Sequence, residues 1–363
     1  MNFKITGILA LFLTLGIVAV IFLNKQEKQK EETKKTEEKL LNIEKEQVTD
    51  IYLQPSAIHC QKDSAVGWKI LSPIQTDGDK SAIDGLLGMF SYAKIERTVS
   101  SDPAEYNTYG LHDAAARMVL THQKGTDTLY VGDSSPTGSF VFARKSGSPD
   151  VFLTSTTLQS NVRKTLFDLR NKSVLGFETA QVRSLHLQNQ HGEFELVKNG
   201  ADWSLEKPTN QAADKTKVDK VINRLNSEKA KEYVDENPTD LKPYGLDRPA
   251  IRIDLALGEN MARKTLFIGK AKESQFYARD DARTPVFLVD SAFVNLLNPT
   301  LFDLRNKKLT DANASDITRF ELEFSGETIV CNKDTSGVWS IEKPEPRKAK
   351  SWKMSSITRE AAE

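Results

Sequence analysis

Leu166-Phe167-Asp168-Leu169-Arg170-Asn171-Lys172 recurs unchanged, 135 residues further on, as Leu301-Phe302-Asp303-Leu304-Arg305-Asn306-Lys307. Chance does not return seven residues in a row within matching surroundings, so the chain contains a duplication. Working outward, the same shift carries Tyr109-Gly110-Leu111 onto Tyr244-Gly245-Leu246, Phe142-Ala143-Arg144 onto Tyr277-Ala278-Arg279, and Val151-Phe152-Leu153 onto Val286-Phe287-Leu288. Trp68 and Pro73 fall on Trp203 and Pro208. A third start follows: Trp203-Ser204-Leu205-Glu206-Lys207-Pro208 returns as Trp339-Ser340-Ile341-Glu342-Lys343-Pro344. The organisation expected is unit one over 42–176, unit two over 177–311 and a truncated unit three over 312–363.

Within a unit, the pattern is that of strands and two short helices. Val48-x-x-Ile51-x-Leu53 alternates like a strand, and a polar turn followed by a strand ending in Trp-x-[Ile/Leu] and Pro reads as a hairpin. Ile83, Leu86, Leu87 and Phe90 share one helical face, as do Val218, Val221, Ile222 and Leu225 behind the N-cap candidate Asp214. Further strands are expected at 118–120, 129–131, 140–143 and 151–153, then a last helical stretch leading into the repeated heptad. The class is α+β, dominated by antiparallel strands, and about 135 residues suffice for each unit to bury its own core.

Ahead of the repeats, Ile5 to Leu23 is nineteen residues without a charge. It reaches about 28 Å as a helix, enough for a bilayer core. It shows no polar stripe, no small-residue cleavage pattern and no lipobox cysteine, so an uncleaved single-pass anchor is expected, embedded in lipid through 5–23 behind a tail at 1–4. Residues 24–41 form a Lys/Glu linker that favours solvated helix. The lysines after the anchor would hold that side in the cytoplasm on a literal count, yet large domains translocate largely regardless of such charges. The bulk of the chain is expected outside the cytoplasm.

The opening V-x-x-I-x-L strand, the Trp followed by Pro, the Tyr-Gly-Leu turn, the Val131-Gly132-Asp133 strand end, the Phe142-Ala143-Arg144 strand and the Leu-x-x-Leu-Arg-x-Lys close together resemble the bacterial family called "domain of unknown function 4340", over about residues 42 to 363. The resemblance implies an N-terminal membrane helix and genes beside components of ABC-type transporters of the gliding or auxiliary export kind. It implies no catalytic residue, since none is established for the family.

Fifty basic residues balance fifty acidic ones, which argues against nucleic acid as a partner. Cys60 and Cys331 take the same place in different units, matched by Leu196, as a small apolar core residue would. His59, His112, His122, His186 and His191 lack metal spacing, and no phosphate loop, nucleophile elbow or dinucleotide fingerprint occurs. No cofactor and no catalysis are expected. The charged residues common to both units are Arg144, Asp168 and Arg170 with Arg279, Asp303 and Arg305. They are the candidate partner contacts, able to grip a carboxylate or backbone. The competing reading, which the sequence favours, makes them local ion pairs and a helix cap. Three functions fit: an accessory protein of a membrane complex, a module binding cell-envelope glycan or peptide, or a hydrolase, whose nucleophile–base set the sequence does not supply.

Overall fold

The computed structural model describes residues 40–41, 43–90, 93–112, 115–308 and 313–362. The stretch read as an anchor and nearly all of the linker lie outside the described residues, within which no helix is long and apolar enough to cross a membrane. Leu40 and Leu41, read as the end of the linker, are buried in the first unit's core. The chain divides into compact units between Lys172 and Ser173, and Val174 and Leu175, read as the end of unit one, lie in the second core.

In the first unit the alternating pattern at Val48 becomes β1 (Val48–Gln54), followed by β2 (Ile58–Asp63), β3 (Gly67–Ser72) and the short β4 (Thr76–Asp77). Helix α1 (Lys80–Phe90) comes next, then β5 (Arg97–Ser100), β6 (Ala116–His122), β7 (Gly125–Ser134), β8 (Phe140–Lys145), β9 (Val151–Ser155), α2 (Thr156–Val162) and α3 (Leu166–Leu169). The sheet is antiparallel, in the order β4-β3-β2-β1-β6-β7-β8-β9-β5. One face is core. Ile83, Leu86, Leu87 and Phe90 of α1 and Leu158 and Val162 of α2 lie in a single buried cluster with the strands.

The second unit repeats this plan. Its strands are β10 (Val182–Asn189), β11 (Gly192–Asn199), β12 (Asp202–Lys207), β13 (Gln211–Ala212), β14 (Glu232–Asp235), β15 (Ile251–Leu257), β16 (Ala262–Lys272), β17 (Gln275–Asp280) and β18 (Val286–Asp290). Its helices are α4 (Lys215–Ser227), α5 (Ser291–Leu296) and α6 (Leu301–Leu304). The order β13-β12-β11-β10-β15-β16-β17-β18-β14 is the same as in the first sheet. Even the irregularities recur: the register slips at His59/Cys60 in unit one and at Glu195/Leu196 in unit two.

A third sheet holds β19 (Arg319–Phe324), β20 (Glu327–Lys333), β21 (Trp339–Lys343) and β22 (Arg347–Lys348), followed by α7 (Ser351–Ala362). It repeats the first half of a unit, including the slip at Val330/Cys331. One rung is common to all three sheets: Ile51, Cys60 and Ile70; Leu185, Leu196 and Leu205; Phe320, Cys331 and Ile341. This explains the interchange of Cys and Leu. Cys60 and Cys331 are buried, and burial pushes the Cys60 thiol up to about 12. A thiol so placed is a packing residue, held far from its reactive thiolate form.

Candidate functional site

Three devices use the residues that the units share. The first is the repeated heptad. Thr165 precedes it, and a capping box forms because Thr and Asp three residues apart satisfy each other's backbone N–H groups at a helix start. The Thr165 N–H and hydroxyl both donate to Asp168 Oδ2 at 2.8 Å, and the Asp168 N–H donates to Thr165 Oγ1 at 3.3 Å. Thr300 and Asp303 repeat this at 2.8, 2.7 and 3.2 Å. Burial works to raise the pKa of Asp168, but the two donors of Thr165 outweigh it and hold the carboxyl below its usual range. At Asp303 the N–H and hydroxyl of Thr300 lower it in the same way.

Beyond the cap, Leu169 and Leu304 plug into the core, and the backbone reaches back to the loop before the first helix. Asp79 N–H donates to Leu169 O at 2.7 Å and Asn171 N–H to Asp77 O at 2.8 Å; Asp214 to Leu304 and Asn306 to Ala212 match them at 2.7 and 2.8 Å. Lys172 Nζ donates to Phe167 O and Asp168 O at 2.8 and 3.1 Å, placing a cation on the carbonyl end of α3. The heptad is a latch that closes each unit on itself.

The second device joins the Tyr-Gly-Leu turn to the glycine of Val131-Gly132. Gly110 and Gly245 hold left-handed φ of 69° and 67°. Gly132 and Gly269 lie so close to the turn that an added Cβ would stand 2.1 Å from the carbonyl oxygen of Tyr109 or Tyr244. Leu111 and Leu246 are buried beneath it. The tyrosine rings pack on the aromatic that opens the next repeated strand, Tyr109 on Phe142 at 4.7 Å and Tyr244 on Tyr277 at 5.1 Å between centroids.

The third is a tryptophan clasp. Trp68 Nε1 donates to Asp84 Oδ1 at 3.0 Å and Trp203 Nε1 to Asp219 Oδ1 at 2.9 Å, so each buried indole is satisfied by the helix packed on it. The sequence reading missed these aspartates; their signal is an Asp sixteen residues after the Trp. At Trp339 that position is Ser355.

The candidate arginines divide. Arg144 lies against Tyr130 at 3.6 Å and Tyr106 at 4.5 Å from the ring centroids, with Nε directed at Leu111 O at 3.5 Å. Arg279 Nε donates to Arg283 O at 3.3 Å. Arg170 is buried, whereas Arg305 is exposed above the Phe302 ring at 4.8 Å. Within each unit the heptad residues serve the latch, while the remaining arginine lies elsewhere: Arg144 on the rings of Tyr106 and Tyr130, Arg279 at the β17–β18 loop.

The second sheet also carries a polar cluster with no counterpart in the first. Asp254 is buried on β15 and takes Thr265 Oγ1 at 2.6 Å, Arg263 Nε at 3.0 Å and Arg252 Nε at 2.9 Å, with His186 Nδ1 at 3.4 Å. Burial pushes its pKa up, but the guanidinium groups of Arg252 and Arg263 and the Thr265 hydroxyl outweigh that and hold it far below the ordinary carboxylate value. His186 Nε2 meets Glu193 at 2.8 Å, His59 pairs with Asp50 at 3.0 Å and His122 with Asp127 at 2.9 Å. Among the described residues no group of three or more His, Cys, Asp or Glu is placed to hold a metal ion. The Gly132 to Gly138 stretch is the end of β7 and the turn into β8, closed by Ser135 N–H to Phe140 O at 2.8 Å.

The model of one protein family, Domain of unknown function (DUF4340), matches twice, over residues 68–227 and 203–362. Each match starts at the clasped or buried tryptophan of one copy and runs to the end of the first helix of the next, so 203–227 serves in both. No curated protein and no solved structure matches the chain.

Proposed function

This chain belongs to the family Domain of unknown function (DUF4340), and from that premise we propose that it is a non-catalytic, membrane-anchored accessory or scaffold protein of a cell-envelope complex, of the ABC-type transport or gliding-related export kind. The observation that carries the reading is the use to which the shared residues are put. Latch, turn and clasp are the features repeated between the units, and each serves to build a rigid body rather than to assemble reacting groups. Duplicated rigid bodies on a tether offer strand edges and loops to other proteins. The uncharged stretch 5–23 supplies the tether, and the extracytoplasmic side suits a chain whose folded part follows a single N-terminal anchor.

Crosslinking in native membranes followed by mass spectrometry tests this. An ATPase and a permease recovered with the chain is the expected result. A clean monomer after mild detergent extraction, with no protein crosslinked, overturns it. Envelope polymer retained by soluble residues 42–310 without any protein partner would replace it by a glycan- or peptide-binding role.

A further inference from the structure

Away from the core, both nine-stranded sheets repeat one rung. Gln54, Arg117, Tyr130 and Arg144 stand side by side across β1, β6, β7 and β8. Gln188, Arg252, Phe267 and Arg279 stand in the same order across β10, β15, β16 and β17. Each sheet thus sets an aromatic residue between two arginines. The guanidinium carbons of Arg144 and Arg117 lie 3.6 and 6.0 Å from the Tyr130 ring centroid, and that of Arg252 lies 5.5 Å from Phe267. A cation held against a ring is placed before any anion arrives.

The neighbouring rung on the same face differs between the units. In unit two it is His186, Asp254 and Thr265; in unit one it is Tyr52, Val119 and Thr128. Asp254 holds Arg252 in a fork, Oδ2 accepting from Nε at 2.9 Å and Oδ1 from Nη2 at 3.3 Å. Arg263 adds a second guanidinium, and Thr126 stands in its place in unit one. The first sheet therefore keeps the forked arginine and lacks its carboxylate. Among the described residues neither Arg117 nor Arg144 forms an ion pair. Asp50, on the same face of β1, is engaged by His59 and Gln61. Arg117, Val119 and Tyr130 are only half-buried, so the place is open to solvent.

We propose that Arg117 binds a carboxylate of an acidic polypeptide on this face of the first sheet, in the place that Asp254 fills in the second. Unit two is the site with its ligand built in. Thr128 keeps the position from which Thr265 donates to Asp254, and Arg144, two strands from Arg117, adds positive charge. A planar carboxylate matches the guanidinium fork, as Asp254 does. A sugar fits less well: Arg144 lies against both the Tyr130 and Tyr106 rings, at 3.6 and 4.5 Å, which closes the ring faces turned to it. The choice of a polypeptide as the carrier of the carboxylate rests on the accessory role proposed above; the arginine site itself does not.

The test uses the full chain in mild detergent and fluorescein-labelled decaglutamate, with binding read by anisotropy at low salt. Arg117→Gln should weaken binding about tenfold, through loss of one forked arginine–carboxylate pair. Val119→Asp should weaken it by about tenfold or more, because it gives Arg117 an internal carboxylate. Val66→Asp, the same change on the exposed turn between β2 and β3, should leave it within about twofold, since an exposed charge is largely screened. Hydrogen-exchange protection of β6 shows that the variants are folded. Absence of binding, or a loss in Val66→Asp equal to that in Val119→Asp, overturns the site. Oligogalacturonate or inorganic phosphate bound in preference to the peptide, with the same dependence on Arg117, overturns the polypeptide assignment. Crosslinking to an ATPase and permease at full yield in Arg117→Gln overturns the contact and leaves the accessory role standing.

Discussion

The hairpins around Trp203 and Trp339 begin with the same residues, Trp-Ser-[Leu/Ile]-Glu-Lys-Pro, and both bury the indole. They differ in what backs it. Trp203 is clasped by Asp219 and covered by Val218, Val221, Ile222 and Leu225 of α4. Around Trp339 the clasp position is Ser355, the Ile222 position is Thr358, the Leu225 position is Ala361, and the buried apolar residues are Cys331, Ala349 and Met354. The strand pattern makes the hairpin in both places. The mass of the second core comes from α4 and from the five strands beyond β10; among the described residues the third sheet has neither that helix face nor those strands. The lesson is that the hairpin follows from local pattern, whereas the bulk of a core around it comes from elements distant in the chain.

Replacing the tryptophans breaks the comparison most severely. Trp203→Ala should cost the second unit about 4 kcal/mol, the usual loss for a large buried aromatic, and hydrogen exchange should show the unit still folded. Trp339→Ala should leave the third sheet unprotected over 319–362 while both nine-stranded sheets keep their protection. Next in size is Gly269→Ala, whose Cβ collides with Tyr244 O; a loss of about 3 kcal/mol is expected by denaturant unfolding. No such loss should follow Gly326→Ala, even with its φ of 82°, beyond roughly 1 kcal/mol of backbone strain, because nothing lies near it.

Asp254 separates the first sheet from the second. Its pKa is lower in the folded unit than in the unfolded chain, so the unfolded state binds the extra proton on acidification. The stability it provides is present above about pH 4 and is lost as pH falls below that value. Asp254→Val, which installs the residue that the first unit has at position 119, should cost about 2 kcal/mol at neutral pH and flatten the fall of Tm between about pH 4 and 2. The smallest effect sharpens the comparison instead. Ser355→Asp gives Trp339 the clasp of the complete units and should raise the stability of the third sheet by about 1 kcal/mol, read as added exchange protection at β21.

Much of this architecture was legible in the sequence because it is periodic and repeated. Alternation at Val48, the helical faces of α1 and α4, and the Asp214 cap depend on near neighbours and need no tertiary context. The Cys60–Cys331–Leu196 equivalence was readable for the same reason, as one rung seen three times. What stayed hidden depends on approach across the fold. Gly132 reads only as part of a strand end until Tyr109 O is found against it. Asp84 and Asp219 carry no mark in the helical pattern, and their role shows only when the indole arrives from β3 or β12. The candidate site fared likewise: Asp168 and Asp303 serve the helix cap that the competing reading gave the heptad, with Thr165 and Thr300 as partners that it did not name, but the aromatic stacking of Arg144 and the burial of Arg170 come from residues distant in the chain. The linker read as ending at Leu41 gives up Leu40 and Leu41 because an apolar pair after a charged run has a core to enter only once that core exists.

The latch has a consequence for synthesis. Leu169 O and Asn171 N–H complete the hydrogen bonding of the loop at Asp77 and Asp79, so the N-terminal hairpins of a unit are fastened by the residues translated last. A ribosome delivering the chain from its amino end must therefore release almost a whole unit before that unit can settle, and a pause just ahead of Leu166 or Leu301 would hold a nearly finished sheet ajar.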